Sequence, residues 1–165
     1  MSLKETHTLG GNLSMILKDQ EGDVVNSYRI KNLITNSGRR LLASFLINNN
    51  ANKPIFQIAV GEGDSEQNTK NNYDAEQLIK VVDSVDADVE LQPDGSASEN
   101  GQKPVVLKVR ATLPIRKDGP TQSINEAGIL IKTDKNPAVL YNRTVFPTVN
   151  RSANMELTLI WELTF

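Results

Sequence analysis

Cysteine is absent from the 165 residues. Disulfides and thiolate metal centres are thereby excluded, and the redox compartment leaves no mark on the sequence. Histidine occurs once, as His7, in a polar N-terminal stretch that offers no partner for acid–base or nucleophilic chemistry. Aromatic residues make up 5% of the chain, which leaves little material for an aromatic-lined binding face. Neither sign of charge dominates: 18 Lys and Arg against 20 Asp and Glu give a net charge of −2. A nucleic acid or an anionic membrane would require a basic footprint that is missing here. No apolar run approaches the roughly 18–20 residues of a membrane-spanning helix. The start, Met1-Ser2-Leu3-Lys4-Glu5-Thr6-His7, lacks the basic-then-apolar order of a signal peptide. Synthesis in a cytoplasm, without export, is the expectation.

What the sequence does have is alternation. Met155, Leu157, Leu159, Trp161, Leu163 and Phe165 occupy every second position of residues 155–165. A period of two places all six on one face of a β-strand, whereas a helix would scatter them. Ile160 interrupts the polar face, and no proline or bulge signal protects the strand edge. Upstream, residues 12–18 and 24–34 read as a hairpin joined by a turn around Gly22. Thr35 or Asn36 caps a helix over about 36–48. Its apolar stripe, Leu41, Leu42, Phe45 and Leu46, is expected to lie on the 155–165 face, with Arg39 and Arg40 on the other side. Residues 54–60 form a strand ended by Gly61-Glu62-Gly63, and residues 64–77 a long polar connection. Residues 81–91 alternate in one long strand, slightly irregular near Asp83, and 105–115 return beside it. Acidic residues on the outer face of the first then oppose Lys108 and Arg110 on the second, which favours pairing. The connecting tip at 92–103 contains Asp94 and Gly95 and is expected to project. Residues 124–131 and 138–145 form a last hairpin, and 147–154 lead into the final strand.

The fold class follows: mainly β, an antiparallel β-sandwich or flattened barrel of about eight strands with one helix packed on it. Residues 1–11 are a flexible start and 12–165 a single domain. The expected structural core includes Leu41, Leu42, Phe45, Leu157, Leu159, Trp161, Leu163 and Phe165. Arg39, Arg40, Asp94, Gly95 and Ile160 are candidate interface residues.

Catalytic constellations are weak. Gly61-Glu62-Gly63 follows a strand, yet no third glycine, no Lys-Ser or Lys-Thr and no helix completes a phosphate-binding motif. Tight-turn glycines account for it better. Asp83, Asp86, Asp88 and Glu90 could suggest calcium, but the spacing is not that of a calcium loop, and Asp86, Asp88 and Glu90 fit the solvent face of a strand. Glu126 is an acid set among Ile124, Ala127 and Ile129. A single carboxylate is half of a hydrolytic pair, so an ion pair to Arg110 or Arg143 is the better reading. Arg39-Arg40 is too little for nucleic acid. Three matches to the glycosylation sequon carry no weight without a secretory signal. No catalytic, cofactor-binding or metal site is expected, and no enzyme.

Four stretches together point elsewhere. They are Lys31-Asn32-Leu33-Ile34-Thr35-Asn36-Ser37-Gly38, Ile58-Ala59-Val60-Gly61-Glu62-Gly63, Ile124-Asn125-Glu126-Ala127-Gly128-Ile129, and Leu140-Tyr141-Asn142-Arg143-Thr144-Val145-Phe146-Pro147 with the closing 157–165 strand. In this order they resemble small tail proteins of bacteriophages and contractile injection particles. They are similar also to the N-terminal attachment domain of tail-collar fibre proteins. The resemblance spans most of residues 13–165. It implies a structural virion protein, a baseplate or fibre-attachment adaptor made in the bacterial host cytoplasm and housed in the tail. Its partners would be itself, as a homotrimer, and other tail, baseplate or fibre proteins. The sequence ends at Phe165 without a shaft or receptor-binding tip, so an adaptor is expected rather than direct host binding. The alternative is a carbohydrate-binding β-sandwich module, for which Phe56, Tyr73 and Tyr141 are the candidate aromatics.

Overall fold

The computed structural model describes residues 9–47, 53–63, 75–92, 101, 103–133 and 136–165. Along these the elements are β1 (Gly10–Lys18), β2 (Val24–Lys31), β3 (Leu33–Ile34), α1 (Asn36–Ile47), β4 (Ile55–Gly61), β5 (Val81–Asp86), β6 (Asp88–Leu91), β7 (Val106–Leu113), β8 (Gln122–Thr133), β9 (Asn136–Arg151) and β10 (Glu156–Thr164). They build two five-stranded sheets, in the orders β2-β1-β10-β7-β6 and β3-β9-β8-β4-β5. Every strand pairing is antiparallel. One core joins the sheets: Leu13, Met15, Val109, Leu157 and Trp161 from the first meet Ile58, Val60, Ile124, Ile129 and Tyr141 from the second. The architecture is a mainly β sandwich with one helix, as the alternation implied. Strand β1 already begins at Gly10, inside the stretch expected to be flexible.

Strand β10 lies at the centre of its sheet. Leu157, Leu159, Trp161 and Leu163 are all buried. Trp161 sits between Leu13 of β1 and Val109 of β7, and Leu159 between Met15 and Ala111. Three strands thus present one apolar face in phase, and that face is the floor of the core. Two expectations change. Phe165 falls beyond the strand and is 46% exposed, so it is not a core residue. Alternation assigns a face, but it does not say whether anything covers that face. The unprotected edge expected for this strand does not exist either, because β1 and β7 occupy both sides. Ile160 is half-buried on the outer face, in register with Ser14 and Arg110.

Two segments that alternate without a break change sheets midway. At Asn32 the chain leaves β2 in the first sheet and enters β3 in the second, where Leu33 and Ile34 pair with Arg143 and Asn142 of β9. At Ala87 it leaves β5, which pairs with β4, and enters β6, which pairs with β7. The single strand expected over 81–91 is therefore two, one in each sheet. A chain can keep its period of two while its hydrogen-bond partners change, so the pattern hides the crossing. The charge pairing survives on the shorter hairpin, with Asp88 opposite Arg110 and Glu90 opposite Lys108. Strand β9 runs through Pro147 for 16 residues, where a separate lead-in was expected. Ile124 pairs with Val149 and Glu126 with Val145, so Asn125 alone faces residues 146–148. Pro147 lies in this bulge, where its missing N–H breaks no ladder bond.

Thr35 is the helix cap: its Oγ1 accepts from the Gly38 N–H at 3.0 Å and donates to the Leu140 carbonyl at 2.5 Å. One residue separates β3 from α1, so the helix starts where β3 ends, over β9, and not on β10 as expected. At Gly38 an added Cβ would come within 2.8 Å of the Tyr141 Cα, which is why this turn of helix can lie directly on the strand. Leu41 is buried, whereas Leu42 and Phe45 are half-buried and pack at the margin of the core.

Candidate functional site

Glu126 projects from β8 on the face away from Ala127 and Ile129, beneath Ile79 and Lys80, and is fully buried. Its Oε2 accepts from Arg143 Nε at 2.9 Å and Nη2 at 2.8 Å. Its Oε1 accepts from the backbone N–H of Ile79 at 2.7 Å and of Lys80 at 3.3 Å. Four donors compensate its desolvation. Of the two arginines offered by the sequence, Arg143 is the partner. Arg110 lies on the outer face of the other sheet.

Gly61 faces Glu126 across β4 and β8. A Cβ there would meet Glu126 Oε1 at 2.6 Å. Gly61 belongs to β4, and neither it nor Gly63 has a positive φ. The tight-turn reading of this pair is therefore replaced: Gly61 makes room for a carboxylate. The neighbouring Asn125 receives the Gly63 N–H on Oδ1 at 2.7 Å and donates Nδ2 to the Gly63 carbonyl at 2.9 Å. Asn125 and Glu126 together hold the chain at Gly63 and again at Ile79-Lys80.

A second clasp was not foreseen. Arg151, at the end of β9, is fully buried. Its Nη1 donates to Asp83 Oδ2 at 2.9 Å and Gln122 Oε1 at 2.8 Å, its Nη2 to the Pro114 carbonyl at 2.5 Å, and its Nε to the Met155 carbonyl at 3.2 Å. Burial lowers its pKa, Asp83 opposes that effect, and the nearby Arg116 adds to it. Asp83 is thus half-buried and ion-paired, while Asp86, Asp88 and Glu90 are exposed. A sequence offers no signal for a buried arginine whose acceptors come from four separate segments. Among the described residues, no group of three or more His, Cys, Asp or Glu could hold a metal ion.

Tyr141 completes the buried polar set. Burial pushes its phenol from 10.0 up to about 12, with Arg39 pulling the other way. Among the described residues, none hydrogen-bonds its Oη. Tyr141→Phe should therefore change stability at neutral pH by less than about 1 kcal/mol. At alkaline pH the two proteins should part. Below pH 10 the phenol is neutral in folded and unfolded chains alike. Between pH 10 and about 12 it ionises in the unfolded chain first, so stability is lost as pH rises. Urea midpoints at pH 8 and pH 11 are the check, with the smaller fall expected for Tyr141→Phe.

The candidate interface residues divide. Arg39 and Arg40 are exposed on α1. Asp94 and Gly95 lie outside the described residues, as do His7, Tyr73 and most of the 92–103 tip. Of the aromatics proposed for carbohydrate, Phe56 is half-buried against the core and Tyr141 is buried. No helix among the described residues is long and apolar enough to cross a membrane. The buried charges are engaged in joining strands, so the features left for recognition are on the surface: the outer faces of the sheets and the edges at β2, β6, β3 and β5. No family model matches the chain, and neither a curated protein nor a solved structure matches it.

Proposed function

We propose that this chain is a structural subunit of a bacteriophage tail or tail-like contractile particle. It acts as a baseplate or fibre-attachment adaptor, through protein–protein contacts and without catalysis. It is made in the bacterial cytoplasm and resides in the tail of the virion, in a homo-oligomer for which the resemblance suggests three copies. One observation carries this reading. The four stretches that bear the resemblance touch one another in the fold. Thr35 donates its hydroxyl to the Leu140 carbonyl of β9, Gly61 yields space to Glu126, and Glu126 accepts from Arg143.

The carbohydrate-binding alternative loses support from the burial of Tyr141 and the packing of Phe56. The experiment has two arms. Light scattering on the purified protein over a range of concentrations should give a mass above one chain. Mass spectrometry of purified particles from the producing cells should find the protein among the tail components. A monomer at every concentration, absent from such particles and retained by a glycan surface, would replace this reading with the carbohydrate-binding one.

A further inference from the structure

The two outer strands of the first sheet carry opposite charge at matching levels. Across this sheet one row of outward positions runs Lys31, Asn12, Glu162, Lys108, Glu90, from β2 through β1, β10 and β7 to β6. The next outward row runs Arg29, Ser14, Ile160, Arg110, Asp88. Both rows begin with a cation on β2 and end with a carboxylate on β6. Between them, on the inward face, one row runs Ile30, Leu13, Trp161, Val109, Val89. It begins and ends on apolar residues, and Val89 at its β6 end is 39% exposed. Among the described residues, β2 pairs with β1 alone and β6 with β7 alone. Arg29, Lys31, Asp88 and Glu90 are all exposed.

We propose that copies of this chain join edge to edge, β6 of one against β2 of the next, continuing the first sheet from subunit to subunit. The occupant of the β6 edge is thus a second copy of this chain. Four antiparallel steps separate β2 from β6, so the two strands run in the same direction. A neighbour placed with its outer face on the same side therefore adds its β2 in parallel. Without any shift along the strands, Asp88 comes beside Arg29, Val89 beside Ile30 and Glu90 beside Lys31. Each of these three positions then meets its complement, with charge on the outer face and apolar side chains on the inner. Self-pairing is disfavoured at both edges. Two β6 strands would set carboxylates against carboxylates, and two β2 strands would set cations against cations. The join is head to tail, so it must close into a ring or grow as a filament. The central β10, whose own edges are filled, takes no part in it.

This inference rests on reading the chain as a self-assembling subunit. The absence of native cysteine gives a clean test. Lys31→Cys and Glu90→Cys are introduced together in the full chain. Both sites are exposed, so the fold is undisturbed, and the pair Asp88–Arg29 remains. Within one copy the two sites are four strand spacings apart, about 19 Å. That is well beyond the roughly 7 Å limit between Cα atoms for a disulfide. Mild oxidation should therefore give a ladder of covalent multimers on a non-reducing gel, and its last band counts the subunits of a closed ring. Either cysteine alone should give no ladder. As a second measurement, Arg29→Glu/Lys31→Glu and Asp88→Lys/Glu90→Lys should each weaken association about ten-fold or more. An equimolar mixture of the two should restore it, because each then meets its complement. Efficient dimerisation of Glu90→Cys alone would overturn the proposal in favour of a two-fold β6–β6 contact. Multimers by light scattering without a ladder would overturn this surface and leave the assembly reading standing. A monomer at every concentration would overturn both.

Discussion

Replacing Trp161 by alanine should lower stability by about 3–5 kcal/mol, a large share of the roughly 5–15 kcal/mol by which a domain is stable. The indole is fully buried, at the centre of the central strand, flanked by Leu13 and Val109. Its removal opens a void where the two sheets meet, and neighbours held in β-ladders on both sides have little freedom to collapse into it. The indole Nε1 finds no hydrogen-bond partner among the described residues, so the side chain contributes volume and apolar surface above all. Trp161→Phe should accordingly cost less, about 1–2 kcal/mol. Urea titrations give both values from the midpoints, and the slope should stay constant if the unfolded chain is unaltered. An unchanged midpoint for the alanine variant would contradict the placement of this face in the core.

Breaking the clasp between β8 and β9 should be comparably severe. Arg143→Met removes two donors from Glu126 Oε2 and leaves a fully buried carboxylate without its counter-charge. Loss of one partner from a buried ion pair costs about 3–5 kcal/mol. Combining it with Glu126→Gln should recover part of that. The glutamine carbonyl can still accept from the Ile79 and Lys80 N–H groups, and no unpaired charge remains. A double-mutant cycle should therefore show a coupling of about 1–3 kcal/mol. Strict additivity of the two substitutions would mean that Glu126 and Arg143 do not act as a pair. Because Glu126 also holds the backbone at Ile79-Lys80, Glu126→Ala should in addition loosen that connection, which hydrogen exchange at Ile79 and Lys80 would report.

The chemistry of these residues was only partly open to sequence reading. Glu126 stood out, because an acid between apolar neighbours on an alternating strand has to be neutralised somehow, and Arg143 was one of two available cations. Choosing between Arg143 and Arg110 required the topology, which puts Arg143 on the strand beside Glu126 and Arg110 on the opposite sheet. Arg151 gave no sign. Its acceptors come from Asp83, Gln122, Pro114 and Met155, and nothing local foretells their meeting. Gly61 looked like part of a turn because glycine serves both turns and close approaches, and only the neighbour across the sheet distinguishes them.

By itself the sequence determined the class of the fold. A period of two in Leu13-Met15-Leu17, Val109-Ala111-Leu113 and Leu157-Leu159-Trp161-Leu163 suffices to make strands with one buried face, because side-chain direction along a strand is local geometry. It determined the helix as well, since a cap at Thr35 or Asn36 and the stripe through Leu41 and Phe45 act within a few residues, and the structure makes Thr35 the cap. Which strands pair was decided only in three dimensions. The crossings at Asn32 and Ala87, the central place of β10, the seating of α1 on β9 and the exposure of Phe165 all depend on partners distant in sequence. Alternation is the same whichever neighbour a strand has, and burial depends on what the rest of the chain brings to cover it.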